Sequence, residues 1–278
     1  MDKEYMGINF EVMMDTANCC REMPELMSAI EHSVAKQYMV AEEEKIDLPI
    51  CEASATKYCV SGKRSFEAAK MFKNKKVAVL NFANNHSIGG APYFSGAQEE
   101  SLCRCSTLLP CLQAMKEPFY QKHVDMYHNH QMDFMGNDDL IYTPDVVVFK
   151  SDLRSVPIYP QMMVPNSWYQ VNVITCAAPE LFDQVTRPDD YEDVIRSRMK
   201  KILDVAAKED NEVVILGAWG CGAFKNPIGI VARLFAEMLK NYNFEIVVFA
   251  LATQKDVHGS VFAKALQEEG LNVEIDNQ

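Results

Sequence analysis

The chain is predicted to fold as a three-layer α/β/α domain around a mixed central sheet. Three observations predict it. Five short runs are nearly continuous in apolar, β-branched or aromatic residues, as strands buried on both faces are. Segments with helical spacing lie between several of them. The length, 278 residues, and a composition of 48% hydrophobic and 24% charged side chains suit a chain with a large core. No low-complexity linker or internal repeat divides it, so residues 1–278 are read as one domain with a helical extension over about 1–60.

The elements follow in order. Residues 22–45 (EMPELMSAIEHSVAKQYMVAEEEK) place apolar side chains at helical spacing and end in a charged stretch. After DLPICEASATKYCVSGKRS comes a short helical segment, SFEAAKMF. The strands are VAVLNFA (77–83), DVVVFK (145–150), VNVITCA (171–177), EVVILGA (212–218) and FEIVVFALA (244–252). Between them, QEESLCRCSTLLPCLQAM reads as a helix that Pro110 should kink or end. DDYEDVIRSRMKKILDVAAKE has an acidic first turn suited to the helix dipole. NPIGIVARLFAEMLKNY and VHGSVFAKALQEEG complete the set.

Charge and composition exclude several functions. A net charge of −12 argues against direct DNA or RNA binding, which relies on a basic surface to displace counterions. An anionic ligand would have to be held by backbone N–H groups and helix N-termini. No apolar run is long enough to span a bilayer, and the N-terminus lacks a basic region ahead of an apolar stretch. The expectation is a cytoplasmic protein (nuclear, if eukaryotic) without a membrane partner. Nine scattered cysteines include no CxxC pair and read mostly as reduced core residues. His123, His128, His130 and Asp133 match no metal-ligand spacing, so solvated or capping roles are expected for them and no metal.

In open α/β sheets, ligands collect where loops leave the carboxyl ends of strands. Two glycine-rich loops stand at such positions: NNHSIGGAPYFSGA (84–97) after the first strand, and GAWGCGAFKNP (217–227) after EVVIL. In the second, Asn226 reads as an N-cap and Pro227 as a first-turn residue. Both loops would then offer backbone N–H groups near helix starts, an arrangement that favours phosphate. Gly217, Gly220 and Gly222 do not follow the G-x-G-x-x-G order of a dinucleotide fingerprint, and they come late in the chain. A tight turn with close backbone packing explains them as well. Glu99 and Glu100, just after the first loop, suit either the positive end of an ordinary helix or a catalytic acid held over a ligand.

The order strand, asparagines, Gly89-Gly90-Ala91, six residues (PYFSGA), then Gln98-Glu99-Glu100 resembles the poly(ADP-ribose) glycohydrolase family of macrodomains, especially its bacterial-type branch. The family signature is a triple glycine, six to eight residues and Gln-Glu-Glu. The flanks LNFAN, AQEESLCR, VNVITCAAP and LGAWGCGAFKNP keep the family's order, from about Val77 to the C-terminal strand. The resemblance implies a macrodomain-like fold, an ADP-ribose ligand and hydrolysis of ribose–ribose O-glycosidic bonds, with poly(ADP-ribose) on modified proteins as the partner and no cofactor. It implies that Glu100 is the catalytic acid and that Glu99 and Asn84 hold the terminal ribose. Gly89 and Gly90 would approach the diphosphate and ribose; Ala91 and Gln98 belong to the same wall. Gly220, Cys221, Gly222 and Ala223 would clasp the diphosphate, with Phe224 packed against the ligand.

Adjacent helical residues point about 100° apart, so Glu99 and Glu100 are expected to differ in role. Nor can they flank a sugar from opposite faces, as glycosidase carboxylate pairs do. One carboxyl must therefore protonate the leaving oxygen and then deprotonate water. A helix N-terminus favours the charged form, whereas a general acid must hold its proton; burial under the ribose and the charge of Glu99 oppose the helix. Two residues depart from the family pattern. Ala91 replaces the third glycine, at a cost of about 1 kcal/mol if the position needs positive φ, and Ile88 stands where bacterial members often have proline. The proline- and aromatic-rich segment 150–170 is a candidate cover for the site. A hydrolase of mono-ADP-ribosylated side chains and a non-catalytic ADP-ribose reader are the alternative functions.

Overall fold

All five apolar runs become strands, and three further strands complete the sheet. The computed structural model describes residues 3–48, 56–151, 160–182, 186–252 and 255–276. In chain order the elements begin with α1 (Lys3–Glu22), α2 (Pro24–Lys36), β1 (Tyr38–Val40), β2 (Lys57–Ser61), α3 (Ser65–Lys70) and β3 (Val77–Ala83). Next come α4 (Gln98–Cys105), α5 (Leu108–Ala114), a π-helical turn over Lys116–Gln121, α6 (Lys122–His128), β4 (Leu140–Val148) and β5 (Tyr169–Ala177). The last are α7 (Tyr191–Lys208), β6 (Val213–Leu216), α8 (Ile228–Leu239), β7 (Ile246–Ala250), α9 (Lys255–Glu268) and β8 (Val273–Asp276).

The eight strands form one mixed sheet in the order β1-β4-β5-β3-β6-β7-β2-β8. Every pairing from β5 through β8 is parallel, while β4 runs antiparallel to β5 and β1 antiparallel to β4. Alternation along the strands sends side chains to two cores. Val77, Val79, Val213 and Ile215 pack with Met13 of α1, Phe66 of α3 and Leu102 of α4. Their neighbours Ala78, Leu80, Val214 and Leu216 pack with α7, α8 and α9 through Ile195, Phe235 and Phe262. Helices thus cover both faces, which is why the strands read as continuous apolar runs.

Three local expectations are corrected. The helix read over 22–45 is α2, which starts on Pro24 and stops at Lys36; Gln37 turns extended and the chain enters β1 against β4. The helix read through QEESLCRCSTLLPCLQAM breaks at Ser106, where the backbone is fully extended, and resumes as α5. Proline at 110 has no N–H to donate to the carbonyl four residues back, that of Ser106, so the break falls one turn before the proline. The third is at α8, which begins after Pro227 and not on an Asn226 cap. Among the described residues, no helix is long and apolar enough to cross a membrane.

The topology fixes what meets at the carboxyl edge. Because β3 and β6 are neighbours, the loops 84–97 and 217–227 emerge side by side. Because β2 pairs with β7 (Lys57 opposite Ile246), the turn before α3 and the residues after β7 join them there.

Candidate active site

The first loop begins with a local lock. Asn84 Oδ1 accepts from the backbone N–H of His86 (2.9 Å) and Ser87 (2.8 Å), turning the chain as it leaves β3. Buried His123 of α6 secures the next residue: its Nδ1 lies 3.1 Å from Asn85 O, and its Nε2 faces Asp139 Oδ2 at 3.0 Å. The other two histidines of the sequence cluster, His128 and His130, are exposed at the end of α6. Gly89 and Gly90 both take φ +67°. At Gly90 the requirement is also steric, since a Cβ would lie 2.5 Å from Glu100 Oε1 and 3.2 Å from Glu99 Oε2. The backbone passes directly over the two carboxylates. Ala91 is not among the residues with positive φ, so the methyl that replaces the family's third glycine carries no backbone strain. Its N–H donates to Glu100 Oε1 at 3.1 Å.

The first turn of α4 holds three side chains in three directions. The Gln98 amide lies along β3 where pairing with β6 has ended at Val79: its Oε1 accepts from Phe82 N (2.9 Å) and its Nε2 donates to Leu80 O (2.8 Å) and Ser65 Oγ (3.1 Å). A side chain thereby replaces a strand. Glu99 turns toward the sheet, accepting from Asn84 N at 2.9 Å and Asn81 Nδ2 at 3.1 Å. Glu100 turns toward the glycine loop. Both carboxylates are buried, at 3% and 7% exposure. Burial pushes the Glu99 carboxyl up to about 8, against the hydrogen bonds from Asn84 and Asn81, and the charge of Glu100 adds to the rise. Near neutral pH Glu99 is therefore largely protonated. One turn beyond Glu100, buried Arg104 donates to Pro92 O and Ser95 O, both at 2.7 Å, and ties the loop to the helix.

The second loop is fixed by neutral groups. A Cβ on Gly217 would meet Ala250 O at 2.8 Å and the Phe82 ring at 2.9 Å. Gly220, at φ +72°, lies so close to Ala178 and Asn226 that a Cβ would stand 2.5 Å from the former's Cβ. Asn226 does not cap α8; Pro227 takes that position. Buried Asn226 instead donates to Pro179 O (2.8 Å) and Gly220 O (3.0 Å) and accepts from Tyr191 Oη (2.8 Å). The short-range cap lost to a longer-range brace because β5, α7 and the loop converge on it. Gly222 and Ala223 are exposed, and the Cys221 thiol is pushed up to about 12 by burial. Half-buried Phe224 packs edge-to-face on Phe182, with ring centroids 5.7 Å apart.

Between the loops lies a cavity of about 470 Å³, within the range of small-molecule sites. Phe82, Gln98, Gly220, Cys221, Gly222, Ala223 and Phe224 line it, with Gly96 and Ala97 at the start of α4. Glu99 and Glu100 are not part of its lining; they follow Gln98 on α4, with Asn84 N and Ala91 N bonded to them and Gly90 packed over them. The residues that the family resemblance assigns to the ligand are thus at one edge of the sheet. The sequence reading missed Arg64, Leu251 and His258 in the cavity wall, and Asn81 beneath Glu99. Asn81 had a signal, since it and its cross-strand neighbour Thr175 are polar interruptions of apolar strands. It also missed Glu180, whose Oε1 lies 3.4 Å from Asn84 Nδ2 and whose carboxyl burial raises to about 6. The centre of the candidate cover, residues 152–159, lies outside the described residues.

An α/β/α chain with a cavity at the carboxyl edge of a mixed sheet, lined by one glycine turn and by the start of the helix that carries two buried carboxylates, has the form of a macrodomain-like hydrolase. The family model of the microbial-type PARG catalytic domain matches residues 17–151. The poly(ADP-ribose) glycohydrolase from Thermomonospora curvata is 26% identical, with 93% of this chain and 99% of that chain covered and a TM-score of 0.78. The enzyme from Deinococcus radiodurans, solved in complex with ADP-ribose, is 31% identical over 86% of this chain and 97% of that chain, with a TM-score of 0.73. The Thermomonospora curvata enzyme bound to the inhibitor ADP-HPD is similar at 26% identity over 92% and 98%, with a TM-score of 0.76. No curated protein matches. The chain belongs to the poly(ADP-ribose) glycohydrolase family.

Proposed function

We propose that this chain hydrolyses the ribose–ribose O-glycosidic bonds of poly(ADP-ribose) on modified proteins and releases ADP-ribose. The observation that carries the reading is the Glu100 carboxylate beneath Gly90, held by the Ala91 N–H on the same first turn of α4 whose Gln98 and Ser101 line the cavity. Family membership and the solved relative with ADP-ribose support the ligand. In this reading the terminal ribose lies against Asn84 and Glu99. The diphosphate lies along Gly89–Gly90 and the backbone of residues 220–223, near the N-terminus of α4, where a negative charge is favoured. Phe224 packs against the ligand.

Glu100 then acts twice. As acid it protonates the oxygen leaving the anomeric carbon; as base it takes a proton from the water that attacks there. Glu99, largely protonated near neutral pH, adds a hydrogen-bonding group and little charge, so the repulsion expected from it at Glu100 is largely absent. The adjacent diphosphate of the substrate stabilises the oxocarbenium-like state. We read the whole chain as one such domain, with the N-terminal helices as an extension, α1 laid against α4 and α2 against β4 and α5. The described cysteines are free thiols, which supports a reducing, cytoplasmic setting.

The test is incubation with labelled poly(ADP-ribose) and, separately, mono-ADP-ribosylated protein, comparing the wild-type chain with Glu100→Gln. Release from the polymer, lost by about 1,000-fold or more in the variant while ADP-ribose still binds, is expected. Release only from the mono-modified protein selects the side-chain hydrolase, and binding without release selects the reader. Unchanged turnover in Glu100→Gln removes the acid–base assignment.

A further inference from the structure

We propose that Phe10, Tyr93 and Phe94 form a stacking subsite for the adenine of the ADP-ribose unit on the leaving-group side of the scissile bond. The proposal rests on the hydrolase reading above and adds a second place where the polymer is gripped. The three rings form one cluster: Phe10 lies 5.7 Å from Tyr93 and 6.3 Å from Phe94, centroid to centroid, and Tyr93 lies 6.4 Å from Phe94. Tyr93 is half-buried, but Phe10 and Phe94 are 44% and 49% exposed, among the most exposed large apolar side chains described.

Their backbones are held firmly. Asn9 Nδ2 of α1 donates to Phe94 O (3.0 Å) and Ser95 O (3.3 Å). From the other side, Arg104 grips Pro92 O and Ser95 O, and Thr16 Oγ1 of α1 donates to Arg104 O at 2.6 Å. Two partly exposed aromatic side chains thus stand on a fixed backbone platform, so little ordering cost remains for a ring that stacks on them.

The platform is close to the reacting carboxyl. Ala91, whose N–H holds Glu100, accepts at its carbonyl from Phe94 N and Ser95 N, both 2.9 Å, so one tight turn joins the two. Arg104 stands four residues after Glu100 on the same helix, about 6 Å along its axis. In the polymer, the oxygen leaving the terminal ribose belongs to the adenosine ribose of the next unit, and that unit's adenine follows within a few bonds. An adenine has a π-face, and exposed phenylalanines are groups on which bases stack. A mono-modified side chain brings no such ring, so the subsite would favour polymer.

The test compares Phe10→Leu, Phe94→Leu and Phe94→Trp with the wild-type chain. Leucine keeps the apolar contact between α1 and the loop and removes the aromatic face. Each leucine variant is expected to raise KM for poly(ADP-ribose) about tenfold while kcat and the affinity for free ADP-ribose hold, and Phe94→Trp to keep the wild-type KM. Unchanged KM in both leucine variants overturns the subsite, as does a rise matched by equal loss of ADP-ribose affinity. Polymer binding measured in the Glu100→Gln background reads the same rings without turnover. A wild-type chain that leaves the polymer intact overturns the function proposed above, and the polymer-binding comparison still decides whether the rings grip adenine.

Discussion

The two glycine loops leave adjacent strands at the same edge, yet they are held by opposite means. The loop after β3 rests on ionisable groups: Ala91 on Glu100, Asn84 on Glu99, and Pro92 and Ser95 on Arg104. The loop after β6 rests on a neutral amide, Asn226, and on close backbone packing at Gly217 and Gly220. The first loop is therefore coupled to protonation and can take part in chemistry. The second is a rigid wall, suited to shape and to binding a charge that comes from the ligand.

The comparison breaks most sharply at the glycines. Gly90→Ala places a Cβ 2.5 Å from the Glu100 carboxylate at φ +67°, whereas Gly222 has nothing within 4 Å of its Cβ position. The kcat of Gly90→Ala is expected to fall about 100-fold, the scale on which small misplacements act, whereas Gly222→Ala, whose methyl meets no protein atom, should keep kcat and at most raise KM. Equal effects in a steady-state assay would mean that the loops do not differ. Glu99→Gln probes protonation. Folded Glu99 keeps its proton to about pH 8, while the unfolded chain releases it near 4.5, so the wild type loses stability as pH rises between those values. The melting temperature of Glu99→Gln relative to wild type should rise from pH 5 to pH 8 and level above; a pH-independent difference would show that the buried carboxyl is not raised.

Asn226→Ala should cost about 2 kcal/mol, because buried carbonyls and the Tyr191 hydroxyl lose their partner. Its chemical denaturation should show that loss, and ADP-ribose affinity should fall more than kcat. A larger fall in kcat would assign chemistry to the second loop. Ala91→Gly is the smallest change: with no positive φ to relieve, turnover should be preserved or slightly higher, and a marked loss would reveal a different loop geometry.

What the sequence disclosed follows from what depends on neighbours in the chain. The five central strands were legible because burial on both faces leaves an unbroken apolar run. β1 has three residues, β8 reads VEID on an exposed edge, and β2 reads KYCVS, with polar residues at both ends, so none left such a run. The glycine turns and Gln98-Glu99-Glu100 were legible as a motif of fixed spacing. Arg64, Leu251 and His258 were not, because they reach the cavity only through the pairing of β7 with β6 and of β2 with β7, which no local pattern encodes. The role of Asn226 was misread for the same reason: its partners, Pro179 and Tyr191, lie far off in sequence.

The Gln98 amide that stands in for a strand makes the Phe82 N–H a reporter on the helix that carries Glu99 and Glu100. That amide proton is protected only while α4 begins where it does, beside Leu80 and Phe82. Its hydrogen exchange measures how often the helix start detaches from the sheet, independently of any substrate. If detachment precedes global unfolding, heating would silence the acid while most of the fold persists, and activity would disappear before the sheet melts.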